Sequence, residues 1–174
     1  SITVDGDTST SDMILLFSVN DKNNSIKLKN ENRKKFFYHL ENLTSKLAEY
    51  IVKDGEGASK FLKIKIKNAK SINDAKKIGK SIANSPLFKT AMSGSDSNWG
   101  RIIMAIGKSG ATADRDQLKI WFGDILVASD GQVAPNYCEE NGAKYMQKNE
   151  INFNDRIYKL MIIIIAKKRP LNKQ

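Results

Sequence analysis

Between residues 61 and 67 the chain alternates without a break: Leu62, Ile64 and Ile66 against Lys63, Lys65 and Lys67. A period of two puts the three apolar side chains on one face of a strand and the three lysines on the other. Just upstream the period changes. Phe36, Leu40, Leu43, Leu47 and Ile51 recur every three or four positions, which predicts an amphipathic helix over 31–52 with Asn30 as its N-cap. A chain that switches between these periods has to lay helices on the faces of a sheet. The fold class is therefore α/β or α+β.

The remaining elements follow the same logic. Residues 2–4 and 13–19 read as short buried strands rich in branched side chains. Ser71 with Asp74 caps a helix striped by Ile72, Ala75, Ile78 and Ile82, which Pro86 ends. Asn98 can cap a shorter helix carrying Ile102, Ile103 and Ile106 and stopping near Gly107 and Gly110. Segments 118–122 and 125–128 are strands, Asp130-Gly131 supplies a turn, and 139–148 is helical. No internal repeat is visible.

Bulk properties bound the function. The chain has 174 residues, enough for one domain with a real core, or two small ones. Its single cysteine, Cys138, forms no internal disulfide and suits a reducing compartment. Glu139 and Glu140 beside it oppose a thiolate, so Cys138 reads as structural. The net charge of +10 invites a nucleic-acid reading. However, residues 153–174 hold six Lys or Arg against Asp155 alone, which is half of that excess. A solvated outer face is the preferred reading of the Lys63/Lys65/Lys67 row, because no aromatic platform interleaves with it. The apolar run 160–166 is far shorter than the roughly 20 residues that cross a bilayer. No secretory signal opens the chain, and the absence of an initiator Met suggests processing or a fragment.

Three strings of small, acidic and hydroxyl residues lie between the apolar segments: Asp5-Gly6-Asp7-Thr8-Ser9-Thr10-Ser11-Asp12, Asp54-Gly55-Glu56-Gly57-Ala58-Ser59-Lys60 and Gly94-Ser95-Asp96-Ser97-Asn98-Trp99-Gly100-Arg101. Such composition lets backbone pass close to a ligand or a second chain. By spacing alone, Glu56 is best read as the exposed acid of a turn after a helix. Lys60 pairs with a nearby carboxylate or stands exposed at a strand start. Thr10 and Asp12 satisfy backbone groups in a tight turn. Asp96 and Asn98 cap the following helix, while Arg101 pairs with Asp96 or reaches a phosphate.

Taken in order, and with Ile82-Ala83-Asn84-Ser85-Pro86-Leu87, Phe122-Gly123-Asp124-Ile125-Leu126-Val127 and Glu139-Glu140, these strings resemble the ornithine acetyltransferase family, also called glutamate N-acetyltransferases. The resemblance runs from residue 2 to about residue 151. It implies a layered α/β/β/α fold made from two intertwined chains. In such enzymes a precursor cleaves itself before a threonine, which then opens the β chain as the nucleophile. The threonine takes acetyl from N-acetylornithine and passes it to glutamate, in arginine biosynthesis. Bifunctional members also accept acetyl-CoA, as a substrate rather than a cofactor; no metal or bound cofactor is implied. The implied partner is an α chain in an α2β2 cytoplasmic assembly, with no nucleic acid and no membrane.

Only Glu56 carries over as a substrate-contacting residue, its carboxylate suited to an amino acid's ammonium. Thr10, Asp12, Lys60, Asp96, Asn98 and Arg101 are scaffold around the site. No catalytic residue is expected within 1–174, since the threonine of the family precedes the strand at residue 3. Ser1 as an N-terminal nucleophile is the disfavoured alternative. At the other end, 153–174 has no counterpart of the family's substrate-holding terminal residues. That tail is expected to be a frameshift near Asn154 or a divergent strand with a basic end, against a family-like region 1–152 with a sub-boundary near 90–112. The competing readings are a basic nucleic-acid-binding module and an inactive fragment.

Overall fold

The structure, a computed structural model, describes residues 2–4, 6, 12–19, 29–155 and 160–167, with backbone alone from 153 onward. Its seven strands are β1 (Ile2–Thr3), β2 (Ala58–Ile66), β3 (Lys119–Phe122), β4 (Ile125–Ser129), β5 (Gln132–Val133), β6 (Glu150–Asp155) and β7 (Leu160–Lys167). The helices are α1 (Asn30–Lys53), α2 (Ile72–Ala83), α3 (Pro86–Ser93), α4 (Gly100–Gly107) and α5 (Glu139–Met146). The strands form one mixed sheet in the order β1-β7-β2-β6-β3-β4-β5. Within it β2 runs parallel to β6 and antiparallel to β7, and β1 runs parallel to β7.

The alternation in β2 divides the molecule. Leu62, Ile64 and Ile66 enter a core with Ile78 and Ile82 of α2, Phe88 and Met92 of α3, Ile102 and Ile106 of α4, and Met146 of α5. Each such side chain taken fully out of water contributes roughly 1.5–3 kcal/mol, so this face dominates the hydrophobic stabilisation. On the opposite face Phe61 meets Val52 of α1 and Ile2 of β1 in a much smaller cluster. There the Lys63 ammonium sits 3.3 Å from Glu49 and 3.4 Å from Glu150. The middle of the lysine row is thus held between two carboxylates.

Several expectations hold closely. Ser71 Oγ accepts the Asp74 N–H at 3.0 Å and opens α2. Asp130 and Gly131 both have positive φ, 54° and 74°, as the tight turn of the β4–β5 hairpin requires.

Other expectations need correcting. Residues 13–19 form no strand: they lie in no ladder and Phe17 is 80% exposed. A strand needs a neighbour for its N–H and C=O groups, and branched residues alone do not supply one. Asn30 is the first helical residue of α1, not its cap, and Lys29 at the cap position offers no side-chain bond. Only part of the predicted α1 stripe is covered, since Phe36 and Leu43 stay about half exposed. Ile72 is 70% exposed because it opens α2 before that helix reaches the sheet. Pro86 does not merely end α2; it begins α3, with Ser85 Oγ accepting the Phe88 N–H at 3.3 Å. Cys138 is exposed at the start of α5 rather than packed. β6 runs through residue 152 to Asp155 and sits near the middle of the sheet.

Candidate functional site

The parallel pair β2 and β6 begins at the same end of the sheet where β1 and β7 finish, because Phe61 is level with Glu150 and Thr3 with Ile164. Segments from all three strings gather at this end. From the first, Val4 O accepts from Lys89 Nζ at 2.9 Å, and Gly6 lies against the Asn84 side chain. Thr3 Oγ1 adds a 2.8 Å bond to Asn84 Oδ1. Asn84 and Lys89 thus dock the start of the chain onto the α2–α3 corner. Asp12 is exposed and makes no hydrogen bond or ion pair among the described residues. The tight turn expected of Thr10 and Asp12 falls on residues 7–11, which lie outside the described residues.

The second string joins α1 to β2. Gly55 N–H donates to Val52 O at 3.3 Å, and Ala58 N–H donates to Gly55 O at 3.0 Å. Between them Gly57 has φ 67°, in the left-handed region that glycine enters without steric cost. This tight loop holds Glu56 out on the surface. Its carboxylate has no ion-pair or hydrogen-bond partner among the described residues.

Lys60 is not exposed, and among the described residues no acid pairs with it. It retains only 8% of its accessible surface. Its Nζ donates to Ser95 Oγ at 2.7 Å and to Met146 O at the end of α5. Burial pushes its pKa below the usual lysine value. The expected carboxylate fails because the nearest polar groups on this core-facing side of β2 are a hydroxyl and a helix-terminal carbonyl, the latter left free by the end of its helix. One buried lysine therefore ties the second string to the third.

In the third string Ser95 adopts φ 59°, unusual for a residue with a Cβ. Asp96 N–H donates back to Ala91 O at 2.8 Å, which folds the chain away from α3. Arg101 lies 3.9 Å from Asp96 and donates to Leu87 O at 2.7 Å, so the expected pair forms while the guanidinium also braces α3. Asn98 does not cap α4. The cap position belongs to Trp99, without a side-chain bond, and Asn98 instead offers its carbonyl to Arg101 N–H at 3.3 Å. Beyond it Asp96, Asn98, Trp99, Tyr137 and Glu139 line a cleft of about 470 Å³. Tyr137 Oη lies 3.1 Å from the buried Ser97 Oγ and fixes one wall.

Ser95, Ser97, Tyr137 and the Met146 carbonyl were not singled out as individual contributors by the sequence. Their partners lie 35 to 86 residues away, and no local period marks a serine that meets a distant lysine. Among the described residues, no group of three or more His, Cys, Asp or Glu is arranged to hold a metal ion. The same residues include no helix long and apolar enough to cross a membrane.

Fold and site together define a mixed α/β protein whose polar loops gather at one sheet end, with an exposed acid, Glu56, on a tight glycine-containing loop. A model of the ArgJ family matches residues 1–158. The chain is 52% identical over 150 residues to the arginine biosynthesis bifunctional protein ArgJ of Ruegeria pomeroyi, covering 86% of this chain and 36% of that protein. It is 46% identical over 156 residues to the protein of the same name from Mesorhizobium japonicum, covering 87% and 38%. The crystal structure of the arginine biosynthesis bifunctional protein argJ from Bacillus halodurans superposes with a TM-score of 0.81 at 31% identity, covering 98% of this chain and 82% of that one. The chain belongs to the ArgJ family. It spans a little over a third of the length of these curated relatives.

Proposed function

We propose that this chain is the β-chain portion of an acetyltransferase of arginine biosynthesis, moving acetyl from N-acetylornithine to glutamate with an α chain of the same precursor. The observation that carries the reading is the match to the ArgJ family across residues 1–158, with Glu56 on a glycine-shaped loop and without an ion-pair or hydrogen-bond partner among the described residues. A carboxylate left without a cation is free to take a substrate's ammonium, and a charge-assisted bond of this kind contributes about 1.5–3 kcal/mol.

The attacking group in this reading is a threonine hydroxyl supplied from outside residues 1–174. Its own freed α-amine acts as base. The hydroxyl oxygen adds to the acetyl carbonyl, the amide C–N bond breaks, and the departing ornithine amine takes the proton. Glutamate's amine then attacks the threonine ester and returns the hydroxyl. Donors of the α chain hold the oxyanion in both steps. An α2β2 assembly in the cytoplasm, and acetyl-CoA as a second donor, belong to the same proposal.

The test is acetyl transfer by the full precursor with and without Glu56→Gln. The KM for N-acetylornithine should rise on the order of tenfold or more, in line with a lost charge-assisted bond. An unchanged KM, or a wild-type precursor that moves no acetyl group to glutamate, removes the reading.

A further inference from the structure

We propose that the cleft between α2, α3 and α4 binds a small phosphate-bearing molecule with an apolar body, a nucleotide being the simplest of that class. The inference stands apart from the acetyl-transfer reading. The cleft holds about 400 Å³, a volume within the range of small-molecule sites. It shares Asn84 with the corner that receives the start of the chain. Its floor is apolar: Leu87 and Met104, each 47% exposed, join Pro86 and Ala105 there. Ser81 Oγ donates to Ala105 O, which pins α2 to α4 and fixes the two walls against each other.

The polar groups around this floor are of one kind. Lys80, in the last turn of α2, and Lys108, at the end of α4, both line the cleft, and no acid does. A lysine at a helix end ordinarily leans on the last carbonyls of that helix. Here neither ammonium has a hydrogen bond or an ion pair among the described residues. The backbone acceptors of the floor are taken: Ala105 O by Ser81, Pro86 O by Thr90 Oγ1 at 2.8 Å, and Leu87 O by Arg101 at 2.7 Å. Asn84 spends its Oδ1 on Thr3, which leaves its amide N–H groups to donate. The unspent side-chain groups are therefore donors, two of them charged, and they call for an anion. Two ammoniums from different helices match a phosphate, which offers more charge and more acceptor oxygens than a carboxylate. The half-exposed Leu87 and Met104 give a ring or chain attached to that phosphate a surface to cover.

The experiment is calorimetric titration of the full precursor with ADP. The dissociation constant should lie below about 1 mM at low salt, and binding should weaken several-fold at about 1 M salt as the ammoniums are screened. Lys80→Gln and Lys108→Gln should each weaken it roughly three- to fivefold, and both together about tenfold. The double Lys→Arg variant keeps both charges and should keep the affinity. Leu87→Ser should weaken ADP by about threefold and leave inorganic pyrophosphate unchanged, since only ADP carries a body to cover the floor. Pyrophosphate, which lacks the body, and hexanoate, which lacks the phosphate, should both bind more weakly than ADP. CoA presents the same chemistry on a longer arm: tighter binding than ADP assigns the cleft to an acyl donor, and equal or weaker binding assigns it to a free nucleotide. No saturable ADP binding, an affinity unchanged in the double Lys→Gln variant, or pyrophosphate or hexanoate matching ADP overturns the inference. Both lysines are exposed, so these variants should melt with the wild type; should the double variant not fold, the single ones decide.

Discussion

The two faces of the sheet are built from the same strand by opposite residues, and they differ in how completely the chain closes them. On the Leu62/Ile64/Ile66 face three helices bury Ile78, Phe88, Met92 and Ile102 to 2% exposure or less. On the Phe61/Lys63 face α1 covers its neighbours only at its C-terminal end, where Val52 is fully buried. Most of α1 stands clear, with Phe37 and Tyr38 at 52% and 63% exposure, and residues 13–17 and 19 leave their apolar side chains open as well. Both α1 and α2 carry an apolar stripe, the sharper one in α2, and of the two only α2 is covered along its length. Amphipathicity tells which stripe of a helix wants a partner and says nothing of whether the partner is present.

This contrast can be broken by substitution. Phe88→Ala on the closed face should cost about 3–5 kcal/mol by truncating a fully buried ring, read as a lower urea midpoint with an unchanged m-value. A loss under about 1 kcal/mol would mean that this core is loose and that the two faces are alike. Gly142→Ala probes the rim of the same core. A Cβ there would run into the Tyr137 ring, pushing Tyr137 Oη off Ser97, and should cost about 1–3 kcal/mol. Intrinsic helix preference alone predicts a gain from that substitution, so the sign of the effect decides between packing and propensity. Phe37→Ser on the open face should change the stability of the chain by less than about 0.5 kcal/mol, although it removes a larger apolar group than Gly142→Ala adds. A cost near that of Phe88→Ala would show α1 to be covered, and the contrast would fail.

Legibility followed the range of the interaction. The Ser71–Asp74 cap spans three residues and the Asp130-Gly131 turn two, so both were readable in the sequence and both are observed. The start of α3 is not legible from Pro86 alone, because proline at the first helical position begins a helix as well as it ends the one before. Asn98 is a good capping residue by type, but its backbone carbonyl is what α4 uses. Glu56 stands out only through the family resemblance; by spacing it is an ordinary exposed turn acid, and its exposure agrees with both readings. The partners of Lys60 are not legible in the sequence, since they come from positions 35 and 86 residues away.

The sequence by itself determined the periods, and with them the class: a lysine-faced strand, helices of matching stripe, and the polar strings that carry the family. These depend on residues within a turn or two of one another, where sterics and local hydrogen bonds decide the outcome. Only the tertiary structure decided that segments of those strings meet at one end of the sheet, that Lys60 is buried on a hydroxyl and a carbonyl, and that residues 13–19 gain no ladder. Such outcomes turn on which distant surfaces come into contact. Close packing and the need to satisfy every buried polar group select those contacts from the whole chain at once.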